Sequence, residues 1–345
     1  MIVAEHPHLH VAAITHPGMK GKENEDRYAI AAYRLSEQNA TASVLIVVAD
    51  GVGGHRAGEI ASQIAVESIV QAVAASDAQH PVETLRYAMA GASQAIVESA
   101  QEDQSRQGMG ATCVCAWVIG DRLYATWVGD SRLYLVRGDS IWQVTTDHTW
   151  IQEALTHGIL TPDQVAGHPN AHVIHRHLGS LNHNEPDFHL RAHPNEEGAE
   201  SHQGMRIQAG DRLLLCTDGL TDLVTAPEIH RAVIAYPREQ AMQGLVNLAN
   251  ARGGHDNITI ALAEVPENIA TGEYNGVPAG VERFNLGPLQ VGVGCILIAA
   301  LVSLATLAIL LLWWYFSRTS SVSALQQTVQ HFTPLALIAG LLVSR

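Results

Sequence analysis

Four aspartates occupy similar sequence surroundings, and together they have the pattern of a site that binds a hard metal cation through oxygen atoms. Asp50, Asp130, Asp218 and Asp256 lie in the segments VVADGVGGH, WVGDSR, LCTDGLTD and GGHDNIT, and three of them directly follow an apolar, strand-like run. A carboxylate at the end of a buried strand is held rigidly by the sheet, and a turn after it directs further oxygen atoms inward. Ligands that are all oxygen select Mg2+ or Mn2+ over zinc. The pattern therefore predicts a magnesium or manganese site.

A single Asp-Gly pair would carry little weight, because the same dipeptide marks ordinary turns. Taken together and in order, however, the motifs of this chain resemble those of the metal-dependent protein serine/threonine phosphatases of type 2C, in particular the bacterial branch. The resemblance covers about residues 8–266. The matching segments are GMKGKENEDRYAI, VVADGVGGHRAGEIAS, GMGATCVCAWV, ATWVGDSRLYLVR, TTDHTWIQEALTHGILT, HPNAHVIHRHLG, GDRLLLCTDGLTDLV and GGHDNITIALAEV.

The resemblance implies an enzyme that hydrolyses phosphoserine and phosphothreonine of proteins by means of a metal-activated bridging water. It implies that Asp50 bridges two ions, which are Mn2+ or Mg2+, and that the carbonyl of Gly51 completes one coordination shell. Asp218 and Asp256 would bind the other ion. Asp26, in the sequence Asn-Glu-Asp, would hold metal-bound water from outside the coordination shell.

A third, looser ion site is also implied by the resemblance, so that the chain would bind two or three ions. Its ligands would be Asp130, Asp218 and Asp222. Asp222 fits equally well as an exposed residue at the start of a helix, and both interpretations stay open. Glu25 is either a solvent-ordering residue or a plain surface carboxylate, and the amide of Asn257 is expected to stabilise a local turn.

The chain departs from the family at two positions. Many relatives have an arginine that binds the substrate phosphate where this sequence has Gly21, flanked by Lys20 and Lys22. Phosphate binding is therefore expected to rest on a lysine. Animal-type members have a histidine two residues after the metal-binding aspartate, whereas this chain has Val52, like the apolar residue of bacterial members. His55 lies close enough in sequence for a general acid, but it also fits an ordinary turn histidine.

Two other functions compete with the phosphatase. A zinc hydrolase would need histidine and cysteine ligands at fixed spacing, and the 19 histidines do not show it. They are read mostly as structural or surface residues, among them His168, His172, His175 and His177. A catalytically weak pseudophosphatase, which binds phosphoproteins as a regulatory module, would keep the same fold. Gly21 is the mark in its favour, whereas the retained metal-binding aspartates favour the enzyme.

Composition restricts the partners and the compartment. The 345-residue chain carries 34 acidic and 20 basic side chains, for a formal net charge of −14. This balance argues against a nucleic-acid partner and suits an acidic metal cluster. The cysteines form no CxxC pair, which indicates a reducing compartment, and the polar N-terminal segment does not resemble an export signal. The expected partners are phosphorylated proteins and, by family resemblance, a bacterial serine/threonine kinase and its substrates.

Short apolar runs bounded by Gly or Asp predict six β-strands: Val44–Val48, Cys113–Ile119, Arg122–Val128, Leu133–Arg137, Leu213–Cys216 and Ile258–Ala263. Apolar residues at helical spacing predict two long helices over Glu59–Ala75 and Val82–Ser99 and a shorter one over Trp150–Ile159. Runs of strands with an inserted pair of helices favour an α+β sandwich over alternating βαβ units. The resemblance implies a four-layer α-β-β-α sandwich with a bimetal centre between two antiparallel sheets.

The C-terminal part has a different composition. Residues 1–266 are assigned to the catalytic domain, with a flap at about 148–180, and residues 267–289 to a Pro-, Gly- and Asn-containing linker. Residues 290–316 are predicted to form a transmembrane helix, because the run is uncharged and ends in aromatic residues; a buried core helix is the alternative. With a short tail at 317–345, the protein is expected to be a single-pass protein of the inner (cytoplasmic) membrane, with its catalytic domain in the cytoplasm.

Overall fold

The computed structural model describes residues 1–53, 56–165, 167–182, 185–193 and 202–267. All of them belong to the first of two compact units, which spans Met1–Glu282. The linker beyond residue 267, the predicted transmembrane helix at 290–316 and the tail at 317–345 lie outside the described residues, as does His55. Among the helices in the described ranges, none is long and apolar enough to span a bilayer.

Eleven strands and six α-helices are found within these ranges. The strands are β1 (Ile2–Val3), β2 (His10–His16), β3 (Arg27–Arg34), β4 (Ala42–Val52), β5 (Gly110–Ile119), β6 (Arg122–Val128), β7 (Arg132–Arg137), β8 (Ser140–Gln143), β9 (Met205–Arg206), β10 (Arg212–Cys216) and β11 (Ile258–Glu264). The helices are α1 (Arg56–Ala75), α2 (Pro81–Glu102), α3 (Trp150–Thr156), α4 (Asp218–Thr221), α5 (Ala226–Ala235) and α6 (Arg238–Ala251). The six predicted strands and the two long predicted helices are confirmed.

The strands form two antiparallel sheets. One sheet has six strands in the order β1-β3-β4-β5-β6-β9, and the other has five in the order β2-β11-β10-β7-β8. Strands β4 and β5 lie in the middle of the first sheet and are almost continuously apolar, since both of their faces are covered. Helix α3 is shorter than predicted and ends at Thr156; the chain then turns at Gly158, which has a φ of 66°.

Three buried apolar clusters separate four layers. Leu45 and Val47 of β4 pack in the cluster between the six-stranded sheet and helices α1 and α2. Val44, Ile46 and Val48 point the other way, into the cluster between the two sheets. The third cluster lies between the five-stranded sheet and helices α5 and α6. The alternation along one strand thus places each sheet between a helical layer and the other sheet.

Candidate metal centre

The aspartates lie at the ends of strands that are aligned by the register of each sheet. In the six-stranded sheet, Asp50 of β4 is paired with Thr112 of β5. In the five-stranded sheet, Cys216 of β10 is paired with both Arg132 of β7 and Ile260 of β11. The segments that continue from these three paired residues carry the remaining predicted ligands, Asp130, Asp218 and Asp256.

Asp50 and Gly51 lie inside a strand rather than at a turn. Strand β4 continues past both residues, and Gly51 is paired with Ala111 of β5, so the turn expected after Asp50 is wrong. Glycine is needed here because a Cβ on residue 51 would lie 2.2 Å from the carbonyl oxygen of Gly58 in α1. A Cβ on Gly58 would in turn meet the carboxyl group of Glu25 at 2.8 Å, so Glu25 packs inward instead of lying on the open surface.

Asp218 is the first residue of α4, and Thr217 alone separates it from β10. A Cβ on the next residue, Gly219, would lie 2.0 Å from the carbonyl oxygen of Asn257. The Asp-Gly pair therefore permits close contact with the segment that carries Asp256. The Oδ1 atom of Asp218 is buried and has no hydrogen-bond partner in the part of the chain that the structure describes, and the carboxyl group interacts with that of Asp50.

Asp26 is 1% exposed and is the most deeply buried aspartate of the cluster. The hydroxyl of Thr217 accepts a hydrogen bond from the Thr259 amide at 3.0 Å and donates its own proton to Asp26 Oδ2 at 2.9 Å. The second carboxylate oxygen, Oδ1, is buried and has no hydrogen-bond partner within the described ranges. Burial raises the pKa of Asp26 to about 7; the hydroxyls of Thr259 and Thr217 oppose this increase, whereas the charges of Asp218 and Asp256 reinforce it.

The aspartates of both sheets lie close enough to one another for their charges to affect one another's pKa. Burial, and then the charges of four other aspartates, raise the pKa of Asp50 well above its ordinary value; these neighbours are Asp26, Asp218, Asp130 and Asp256. Burial and the charges of Asp222 and Asp256 raise the pKa of Asp218 to about 6, although contacts with Asp50 and His172 act in the opposite direction. Burial and Asp218 likewise raise the pKa of Asp130.

The arrangement fits divalent cations. Buried carboxylates that repel one another are stabilised in their ionised form when a cation lies between them. The donor atoms of the aspartates are all oxygen, which suits Mn2+ or Mg2+. Two of these oxygen atoms, Oδ1 of Asp26 and Oδ1 of Asp218, are buried and lack a hydrogen-bond partner among the described residues.

A loop over residues 17–25 brings Lys22 to the cluster. Its Nζ atom lies 3.2 and 3.3 Å from the two carboxylate oxygens of Asp256, while Lys20 is exposed on the same loop. The loop is anchored by Asn257, which is 4% exposed. The amide oxygen of Asn257 accepts from the Glu25 N–H at 2.8 Å, and Nδ2 donates to two carbonyl groups of the loop at 3.2 Å. Asn257 thus fixes the loop as well as its own turn.

The position of the missing arginine has a backbone that favours glycine. Gly21 has a φ of 69°, and a Cβ there would meet no atom within 4 Å. Conformation rather than crowding therefore restricts this position, and an arginine would be strained. Arg27 and Arg132 are each already bound to a carboxylate, Arg27 to Glu59 at 2.5 Å and Arg132 to Asp147 at 2.6 Å.

Asp222 lies at the end of α4. The alternative interpretation of Asp222 as a residue at the start of a helix is therefore wrong. Its Oδ2 atom is 3.1 Å from Nδ1 of His172, an exposed flap residue. His172, Asp218 and Asp222 each present a ligand atom, and these atoms all lie within 4.8 Å of one another. Sequence reasoning placed His172 on the surface and missed this contact, because no spacing rule connects it with α4. A cavity of about 630 Å³ adjoins these residues and is flanked by α3.

Comparisons of sequence agree with this geometry. Residues 18–251 match the family model described as Protein phosphatase 2C. The protein phosphatase PhpP of Streptococcus pneumoniae is 32% identical over 268 residues, which cover 76% of this chain and 100% of PhpP. The serine/threonine protein phosphatase PstP of Mycobacterium tuberculosis is 33% identical over 225 residues, which cover 64% of this chain and 40% of PstP.

Solved structures show the same relationship. The S. agalactiae serine/threonine phosphatase is 31% identical, with a TM-score of 0.64 over 74% of this chain and 99% of that one. The catalytic domain of the protein phosphatase PstP in complex with two manganese ions is 30% identical, with a TM-score of 0.59 over 74% of this chain and 97% of that one. Because it shares both sequence and fold with these proteins, the chain belongs to the protein phosphatase 2C family and is a metal-dependent protein serine/threonine phosphatase.

Proposed function

We propose that this phosphatase dephosphorylates proteins with two or three Mn2+ or Mg2+ ions held by its aspartate cluster. The observation that carries the proposal is the mutual repulsion of five buried or half-buried aspartates from both sheets. A pseudophosphatase that only binds phosphoproteins is not favoured, because such a cluster destabilises a fold in which it has no cation to bind. When bound, the ions supply an activated water nucleophile and neutralise charge on the phosphoryl group.

The ligand assignment follows the family pattern and is supported by the positions of the side chains. Asp50, the Gly51 carbonyl, Asp218 and Asp256 would hold two ions. Among the residues that the structure describes, Asp26 accepts a hydrogen bond at Oδ2 and none at Oδ1, which suits a residue that orients water beside these ions. The third position would use three carboxylates, with His172 of the flap adjacent to two of them. These carboxylates belong to Asp130, Asp218 and Asp222.

Substrate binding would use the loop and the cavity on either side of the cluster. Lys22 has its ammonium group beside Asp256 and Lys20 is exposed near it, so this loop offers cations for the phosphate. On the other side, the cavity is lined by apolar side chains of α3, such as Ile151 and Leu155, as well as by aspartates. A phosphorylated segment would thus place its phosphate at the cluster and a neighbouring side chain against the flap.

The physiological counterpart would be a serine/threonine kinase whose phosphoprotein products this enzyme hydrolyses. Support comes from the relatives, which carry the names of serine/threonine protein phosphatases. The test compares peptides of one sequence that contain phosphothreonine, phosphoserine or phosphotyrosine, with the metal-stripped protein and added Mn2+. We expect phosphate release from the first two peptides and its loss in EDTA. Equal release from phosphotyrosine, or full activity in EDTA, would contradict the assignment.

The location at the inner membrane is a separate proposal that rests on the sequence. Residues 290–316 are free of charged side chains and end in Trp313, Trp314, Tyr315 and Phe316, which suits a helix with an interfacial aromatic belt. The catalytic domain would remain in the cytoplasm, with the tail on the far face. Protease added to spheroplasts should remove a tag from the C-terminus and spare the catalytic domain. Digestion of the catalytic domain would reverse the orientation, and recovery of the full chain in the soluble fraction would exclude the anchor.

A further inference from the structure

Asp147 and His148, at the boundary between β8 and the predicted flap, contact the turn that carries Asp130 from both sides. We call residues 129–132, which connect β6 to β7 and include the first residue of β7, the Asp130 turn. On one side, Asp147 accepts three hydrogen bonds from the Arg132 guanidinium, at 3.0, 3.0 and 2.6 Å. On the other side, the Gly129 N–H donates to Nδ1 of His148 at 3.1 Å, and the His148 N–H donates to the Gly129 carbonyl at 2.9 Å. The proposed roles in catalysis leave Asp147 and His148 unexplained.

The His148 ring is fixed as a hydrogen-bond acceptor. Its side chain is 7% exposed and stacks on Trp127, with ring centroids 6.2 Å apart. Because the Gly129 N–H points at Nδ1, this atom carries the lone pair and the proton of the neutral ring lies on Nε2. Nε2 is 3.6 Å from Oδ2 of Asp187, which is longer than a hydrogen bond but close enough for electrostatic attraction. The ring is therefore held in one orientation.

The Asp130 turn depends on such backbone contacts. Gly129 has a φ of 97°, and a Cβ on it would lie 2.6 Å from the Cβ of Thr112, so a side chain cannot anchor this residue. Thr112 is paired with Asp50 across β4 and β5, and its hydroxyl bonds that of Ser131 at 2.8 Å. The turn thus packs against β5, the strand next to the one that carries Asp50, and His148 supplies both partners of the Gly129 backbone.

His148 also joins the two arms of the flap. Its carbonyl oxygen accepts a hydrogen bond from the His175 N–H at 2.7 Å, and the Trp150 N–H donates to the Val173 carbonyl at 2.9 Å. The returning arm therefore pairs with the segment that starts at His148. One residue consequently contacts the flap and the Asp130 turn, and a displacement of the imidazole would change both.

We propose that His148 is a positioning residue for Asp130. By holding the Gly129 N–H at Nδ1, it keeps the Asp130 carboxylate directed toward the cation that Asp130 would share with Asp218. The inference rests on the proposed role of Asp130 as a metal ligand. It assigns to His148 an effect on cation binding, not a contact with substrate or with the reacting atoms.

Two substitutions separate the acceptor atom from the bulk of the ring. In His148→Asn, the amide oxygen can take the place of Nδ1, whereas in His148→Gln the oxygen reaches toward the Nε2 position. His8→Asn is the matched control: His8 is a buried histidine whose Nε2 hydrogen-bonds the carbonyl of Gly120 at 3.0 Å, at the far end of β5. Asp130→Asn reports directly on the site that Asp130 is proposed to form.

The first measurement is the equilibrium binding of Mn2+ to the full chain, with free Mn2+ detected by electron paramagnetic resonance. The second measurement is kcat and KM at several Mn2+ concentrations. We expect His148→Gln to weaken one binding step about tenfold, or about 1.4 kcal/mol, while kcat recovers at saturating Mn2+. His148→Asn should stay within about twofold of the parent protein, and His8→Asn should bind Mn2+ as the parent does.

Equal losses in the asparagine and glutamine variants would overturn the inference, because ring packing rather than the acceptor would then matter. The inference would also be overturned if both His148 variants bind Mn2+ as the parent does while Asp130→Asn loses a binding step. In that case Asp130 would keep its proposed role as a metal ligand, and His148 would have no part in it. If Asp130→Asn binds Mn2+ as the parent does, the ligand assignment of Asp130 and the inference from it both fail. Near-ultraviolet circular dichroism checks that each variant is folded.

Discussion

Asp26 provides a test in which a substitution should stabilise the fold while it damages the metal site. In the metal-free protein this carboxyl group is 1% exposed, and burial raises its pKa to about 7. An aspartate in the unfolded chain has a pKa of about 3.9. The difference of about 3 corresponds to about 4 kcal/mol of unfavourable free energy when the folded protein must hold the ionised form.

The sign of the pH dependence follows from the order of the two pKa values. Between about pH 4 and pH 7, the folded protein keeps a proton on Asp26 that the unfolded chain releases, so the free energy of unfolding falls as the pH rises through this window. Asp26→Asn removes the ionisable group. After subtraction of about 1 kcal/mol for the weakened bond from Thr217, the variant should be about 2 to 3 kcal/mol more stable than the parent near pH 8. Near pH 4 this advantage should vanish.

The assay is urea denaturation in EDTA at about pH 4.5, 6 and 8, with unfolding monitored by near-ultraviolet circular dichroism. Asp211→Asn is the matched control, since Asp211 is also 1% exposed but is bound by Arg137 at 2.8 and 2.5 Å. Its loss should destabilise the protein at pH 8, because the partner cation remains. The reasoning is refuted if Asp26→Asn is no more stable than the parent at pH 8, or if its effect is the same at every pH.

Three further predictions concern the cations, the loop and the glycines. Apparent Mn2+ affinity should rise from about pH 5 to pH 8, because the metal competes with protons on carboxyls of pKa about 6 and 7; calorimetry that finds a flat or falling affinity would contradict this. Lys22→Met should raise KM for phosphopeptides more than Lys20→Met does, since the ammonium of Lys22 lies beside the cluster, and equal KM values would remove its assigned role. Gly219→Ala should lower the free energy of unfolding by about 2 kcal/mol or more, because the new Cβ would lie 2.0 Å from a carbonyl oxygen. Gly244→Ala, on the open face of α6, should raise it by about 0.5 to 1 kcal/mol. Similar melting temperatures for the two variants would contradict the packing argument.

Local patterns in the sequence predicted six of the strands and the two long helices, whereas the two-sheet arrangement and the grouping of the aspartates came from the family resemblance. Strands such as Leu213–Cys216 are short apolar runs that end at an aspartate, so their boundaries and their functional ends coincide. Strands β2 and β3 were missed because HVAAITH and RYAIAAYR are rich in alanine, which has little preference for strands, and their burial is mostly partial. Helix α5 was also missed, although Thr225 and Glu228 form a capping box at its start.

Contacts between segments that are distant in sequence were beyond local reasoning. The pairing of Lys22 with Asp256 and the anchoring of a whole loop by Asn257 depend on how β2 and β11 align, which no spacing along the chain reveals. The same holds for His172 and Asp222, which only the folded flap brings together. The strand that continues through Gly51 shows a further limit, since an Asp-Gly pair marks a turn in one context and a close backbone contact in another.

The most direct test of the metal site is phosphate release from a phosphothreonine peptide by the metal-stripped protein and by its Asp218→Asn variant as Mn2+ is added. The neutral amide cannot offset the charge of the cations, so we predict that added Mn2+ restores turnover in the parent while the variant stays at least about 100-fold lower with its fold intact. Asp211→Asn, measured beside it, should respond to Mn2+ as the parent does. An Asp218→Asn variant that reaches most of the parental rate in excess Mn2+ would contradict the assignment of the aspartate cluster as the metal centre.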